Sequence, residues 1–146
     1  MMSNVPKLSR NERTIVVLMR IFGCGGVLAI PAIFLPHSWM NAIHEFAGLG
    51  QLPETPIVSY LARSLSAFYA ALGSITLYVS LDIRHYRGLI RFWAGTLTVF
   101  GCCILGIDFV SGMPLHWTLS EGPPTIAAGL VLLWLHSSIQ SPQVTS

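Results

Sequence analysis

The chain has 146 residues, of which 53% are hydrophobic and 10% are charged, with a formal net charge of +2 and a mean hydropathy of +0.65. A soluble domain carries about 25% charged residues, so the composition excludes an ordinary water-facing surface, and the small net charge excludes a nucleic-acid partner. The length fits a single domain.

Three cysteines, Cys24, Cys102 and Cys103, lie inside apolar runs. They form no C-x-x-C motif, and an odd number cannot all pair within one chain. The expectation is small, buried packing residues without redox chemistry.

Residues 1–13 are polar and basic, with Lys7, Arg10 and Arg13 against Glu12, and are expected to form a disordered cytoplasmic arm. The first apolar run is Ile15 to Leu35. A basic arm before an apolar run is also the pattern of a secretory signal, but this run exceeds that signal's apolar core of about 7–15 residues. Arg20 interrupts it and no small-residue cleavage site ends it, so a retained membrane helix over about 15–35 is the reading. Gly23, Gly25 and Gly26 allow close helix contact, and Pro31 should kink the far end.

Between Pro36 and Pro56, Ser38 can cap a short helix in which Trp39, Ile43 and Phe46 recur at helical spacing. A helix lying in the membrane interface is expected there. Gly48, Gly50, Pro53 and Pro56 then break the chain. A second membrane helix follows over about 57–81. Its Ala62, Ser66, Ala70 and Ser74 recur every fourth position, with Gly73 beside them, and offer a flat packing face. DIRHYRG (82–88) is a tight basic turn, and a third helix over about 89–110 follows at once. So short a connection predicts that helices two and three are antiparallel neighbours. The fourth apolar segment, about 123–139, starts at the pair Pro123 and Pro124, which suits a helix N-terminus. It is close to the minimum length for a span, so a re-entrant segment is the alternative. A polar tail occupies 140–146.

The resulting fold class is all-α: an integral membrane four-helix bundle over 14–139, with an interfacial helix in the first outer loop. Lys and Arg gather in the N-terminal arm and in the 82–88 turn with Arg91, whereas the loops 36–56 and 111–124 have none. By the positive-inside rule both termini and the middle turn are cytoplasmic, in a multi-pass protein of the cell's inner membrane.

Two arginines fall within the apolar runs, where a charge is costly. Arg20 is near enough to the inner end to snorkel, and a structural ion pair with Asp82 is expected. Arg63 and Asp108 should meet at similar depth on helices two and three, either as a pair that fixes register or as the floor of an outward-facing pocket. Glu121, Tyr69, His116 and Trp117 are the further candidate lining residues. The five histidines, His37, His44, His85, His116 and His136, lie in loops or at helix ends. They make no facing pair for a membrane haem and no metal-ligand spacing. No nucleophile, phosphate-binding or dinucleotide motif is present, so no catalytic residue is assigned.

The order YLARSLSAFYAALG (60–73), a short basic turn, then GIDFVSGMPLHWTLSEGP (106–123) resembles the DoxX-like small four-helix membrane proteins of bacteria and related families of unknown function. The resemblance implies a four-helix membrane bundle and, for some members, a link to quinol oxidase or to thiol and oxidative-stress pathways. Only Arg63 and Asp108 carry over by position, and no redox motif accompanies them. The expected function is that of a non-enzymatic accessory or structural membrane subunit, partnered by the lipid bilayer and by a homo-oligomer or larger membrane complex, with no cofactor. The alternative is a subunit of a membrane oxidoreductase that binds a small ligand or a quinone.

Overall fold

The computed structural model describes residues 7–137 and residue 139. The described residues form helices, turns and bends with no strand: α1 Arg10–Val27, α2 Ile30–Phe34, α3 His37–Phe46, α4 Pro56–Val79, α5 Arg87–Ser111 and α6 Leu115–His136. The chain is therefore all-α, as expected. The tail 140–146 and residues 1–6 of the expected arm lie outside the described residues.

α1 begins earlier than the hydropathy suggests. Ser9 caps it: its hydroxyl accepts from the Glu12 backbone N–H at 3.2 Å, and the Glu12 carboxylate accepts from the Ser9 N–H at 2.8 Å. This reciprocal capping box satisfies two of the amides that a helix start leaves unpaired. The arm expected to be disordered to residue 13 is thus helical from Arg10. α1 ends at Val27, and Pro31 sits in the first turn of α2, which is the break expected from that proline.

α3 is the expected short amphipathic helix, though Pro36 rather than Ser38 occupies its N-cap and no side chain caps it. Its polar residues are turned inward. Asn41 accepts from the Leu52 N–H at 2.7 Å, the His44 imidazole bonds the Gly50 carbonyl at 2.8 Å, and His37 lies 3.4 Å from the Glu54 carboxylate. Positions 37, 41 and 44 share one helix face. Trp39, Ile43 and Phe46 lie on the opposite side and are 65%, 57% and 95% exposed.

The long helices pack as two antiparallel pairs, α1 with α4 and α5 with α6. Glycine decides both contacts. A Cβ on Gly73 would lie 2.6 Å from the Gly23 carbonyl oxygen, and one on Gly26 would lie 2.7 Å from that of Tyr69. In the second pair, a Cβ on Gly101 would meet Ile126 and the Gly122 carbonyl, and one on Gly129 would meet Thr98 and the Ala94 carbonyl. Small residues let backbones approach to a distance that any larger side chain prevents. The stripe expected on α4 is only partly used: Ala70 and Gly73 are buried, whereas Ser74 is exposed.

This pairing corrects the expectation that helices two and three are packed neighbours. The turn 80–86 joins α4 to α5, but α4 lies against α1 and α2, and α5 lies against α6. The two pairs meet at one end, where Ile15, Met19, Val79, Ile83, Ile90, Ala94, Leu132, Leu135 and Ile139 form a single buried core. That end carries Arg10, Arg13, Arg84, Arg87 and Arg91, and is called the basic end below.

Two further expectations are corrected. α6 starts at Leu115, not at 123, and holds Pro123 and Pro124 in its interior. Gly112, at φ +67°, ends α5 in the left-handed conformation, so the link to α6 is a tight turn instead of a loop over 111–124. The three cysteines are exposed, not buried.

Two stretches, Arg10–Phe34 and Arg87–Ser111, are long and apolar enough to cross a membrane. Only 22% and 17% of their most apolar windows are buried, whereas the core helix of a soluble protein is buried over most of its surface. Many large apolar side chains of all four long helices, among them Phe22, Phe68, Val110 and Trp134, are likewise exposed.

Candidate functional site

Above the shared core the two helix pairs diverge and leave a cavity of about 600 Å³ between them. α1 contributes Ile21, Phe22, Gly25 and Gly26. α4 contributes Leu65 to Thr76, α5 contributes Trp93 to Phe100, and α6 contributes Thr125. The walls are mostly aliphatic and aromatic. Ile21, Phe22, Leu65, Phe68 and Phe100 are themselves exposed, so the cavity opens sideways, across the helix axes.

The polar groups in its wall divide into two sets. The threonine hydroxyls are committed to their own helices: Thr76 donates to the Leu72 carbonyl, Thr96 to that of Phe92 and Thr125 to that of Glu121, at 2.8, 3.0 and 2.8 Å. They present methyl groups and no free donor. The Tyr69 phenol and the Trp93 indole N–H, by contrast, make no hydrogen bond among the described residues. The Glu121 carboxylate is within electrostatic reach of Tyr69. Among the described residues no cluster of His, Cys, Asp and Glu could hold a metal ion. Among the described residues the cavity wall is mostly apolar, with a small number of polar groups, as in small-molecule sites.

The candidate residues taken from the sequence do not converge. Of the six, Tyr69 lines the cavity and Glu121 approaches Tyr69. Arg63 and Asp108 form no ion pair. Arg63 is exposed and donates to the Leu35 carbonyl at 3.3 Å, closing the end of α2. Asp108 is 5% exposed, held on α5 near the start of α6, and its Oδ2 has no partner among the described residues. The separation follows from the pairing: α4 and α5 are not packed neighbours, so their charges never reach one another. His116 bonds the Ala47 carbonyl at 3.0 Å, tying the start of α6 to the end of α3. Trp117 is half-buried in the first turn of α6 and does not line the cavity.

The expected Arg20–Asp82 pair is also absent. Arg20 is exposed, and Asp82 instead accepts from the His85 N–H at 3.0 Å, fixing the turn. The ion pair at the basic end joins Arg84 to Glu12, two-pronged at 2.8 and 2.9 Å, with Glu12 fully buried. The hydrogen bond that Arg84 donates to the Glu12 carboxylate holds the guanidinium pKa above its ordinary value, against the opposing effect of its own desolvation. Sequence reasoning passed over Glu12 as part of a polar arm. The signal was present, since Ser9-x-x-Glu12 before an apolar run is a helix-start signature.

A second, shallower groove of about 850 Å³ runs along α5 past Gly88, Gly95, Val99 and Cys103. It is an open surface furrow in which Arg91, Phe92, Phe100 and Leu133 flank the smaller residues.

Comparison of the chain with protein-family models, with curated proteins and with solved structures gives no match.

Proposed function

We propose that the chain is a multi-pass integral membrane protein in which α1 with α2, α4, α5 and α6 each cross the bilayer as a four-helix bundle. The exposed apolar surface of both helix pairs carries this reading: bilayer lipid is the solvent that side chains such as Leu28, Phe68, Val110 and Trp134 fit. α4 has 24 residues and α6 has 22, so both reach the roughly 20 residues that a span requires. The basic end faces the cytoplasm with both termini, and α3 lies in the opposite interface of the inner membrane, its apolar face in lipid. Kinship with the DoxX-like small membrane proteins belongs to the same proposal and rests on the order of the segments.

Within the membrane the chain acts as a non-enzymatic accessory or structural subunit, assembling with copies of itself or with a larger complex through apolar faces. Alkaline carbonate washing of membranes tests the first part: the chain stays in the pellet if it is integral, and release into the supernatant refutes the reading. Purification in mild detergent tests the second, since a monodisperse monomer without a partner contradicts a subunit role.

The cavity favours a second reading, a subunit that holds a small apolar ligand. It replaces the Arg63–Asp108 pocket as the candidate site, because that pair does not form.

A further inference from the structure

We infer that the cavity between the two helix pairs binds a neutral, single-chain lipid that carries one hydrogen-bond-accepting oxygen at its end, and that it rejects the corresponding anion. The inference deepens the ligand-binding reading and rests on the membrane placement of the bundle.

Four observations support it. The volume of about 600 Å³ lies within the roughly 300–1,000 Å³ of small-molecule sites. The opening is lateral and its rim is apolar, with Ile21, Leu65 and Phe68 exposed there, so a chain can enter from lipid without crossing a polar surface. The threonine hydroxyls of the wall are consumed by carbonyls of their own helices, which leaves apolar lining for a chain. The donors left over are the Tyr69 phenol and the Trp93 indole, both in the wall, and a donor without a partner in a dry site favours an acceptor oxygen.

The sign of the local charge decides the head group. Glu121 lies on α6 one turn before Thr125 of the wall, whose hydroxyl bonds the Glu121 carbonyl, and among the described residues no Lys or Arg lines the cavity. A carboxylate or phosphate brought to Tyr69 would face a like charge with no cation to offset it, in a medium of low dielectric. A hydroxyl, ketone or quinone oxygen carries no such penalty. The cavity therefore separates neutral lipids from fatty-acid anions by electrostatics while accepting the same chain.

The test uses the full chain in nanodiscs with Trp39, Trp117 and Trp134 replaced by Phe, so that Trp93 alone reports. A fatty alcohol brominated a few carbons from its hydroxyl is titrated in parallel with the fatty acid of the same length and label, at a pH where the acid is ionised. Saturable quenching of Trp93 by the alcohol, with binding of the acid at least about 10-fold weaker, is expected. Equal quenching by both overturns the charge argument, and quenching that rises linearly without saturation overturns the site. Leu72→Phe and Leu97→Phe fill the cavity from opposite walls, and each variant that keeps its helical circular dichroism should bind the alcohol about 10-fold more weakly. Unchanged binding in a folded variant refutes the location. Tyr69→Phe should weaken the alcohol about 3- to 10-fold. Carbonate washing reads the membrane placement separately: an integral chain that fails to bind refutes this inference alone.

Discussion

At the scale of single residues, the ion pair of Glu12 with Arg84 and the cap at Ser9 share one carboxylate. Glu12 closes the start of α1 and, through Arg84, pins the α4–α5 turn to it. Ser9→Ala removes only the cap and should destabilise the protein by about 0.5–2 kcal/mol, read from thermal unfolding in detergent. Glu12→Ala removes the cap's other half together with the pair. Its melting temperature should fall below that of Ser9→Ala, and an equal or smaller loss would show that the pair contributes nothing. Little of this was legible in the sequence. Charges at helix ends can be located, but their partners depend on which helices touch. Arg63 and Asp108 were given each other on the assumption that helices adjacent in the chain are adjacent in space. Arg20 lies on α1 and Asp82 just past α4, which do pack together, but Arg20 is exposed and Asp82 accepts from its own turn. Each found a nearer one or none.

At the scale of elements, the existence of the helices was readable and their pairing was not. Hydropathy marks α4 and α5 to within about two residues, but misses the early start of α1 and its break before α2, and the spacing of Trp39, Ile43 and Phe46 gives α3 its outward face. The start of α6 was missed because a proline pair is a stronger signal for a helix start than for a helix interior. Pairing is decided by where glycines coincide across two backbones, and a sequence shows each glycine without its opposite number. Gly73→Leu should therefore separate α1 from α4 and cost about 1–3 kcal/mol or more, whereas Gly106→Leu, which points into open space, should leave the melting temperature unchanged. Equal effects of the two would refute the close approach. For α3 the expected result is depth-resolved: in a variant that retains Trp39 alone, lipids brominated near the headgroup should quench its fluorescence more than lipids brominated near the chain end. The opposite order would place α3 elsewhere.

At the scale of the whole molecule, the exposed cysteines give a test that distinguishes a lipid-facing surface from a water-facing one. Cys24, Cys102 and Cys103 are all on the surface; Cys24 lies in the last turn of α1, just before the break to α2, and Cys102 and Cys103 lie in the second half of α5. In intact membranes a charged, water-soluble maleimide should leave them unmodified, and the same reagent should label them once detergent or denaturant displaces lipid. Rapid labelling in intact membranes would mean that these helix faces meet water. At this scale the all-helical class was readable from the apolar runs, and the gathering of arginines at one end from their places in the chain. The cavity was not, because it arises where two glycine-joined pairs part, and no single segment encodes a gap.

The two helix pairs are also fastened unequally. Nine buried apolar residues join them at the basic end. At the other end the α3 segment reaches across to α6 through the imidazole of His116 on the Ala47 carbonyl, a bond of about 1 kcal/mol. A joint strong at one end and weak at the other is a pivot. α4 spans 24 residues, or about 36 Å, so a swing of about 5° moves its far end by about 3 Å, close to the width of a methylene chain. Spin labels placed across the gap at 61 and 107 should therefore show a broader distance distribution than labels at 17 and 89, and His116→Ala should broaden the first without changing the second.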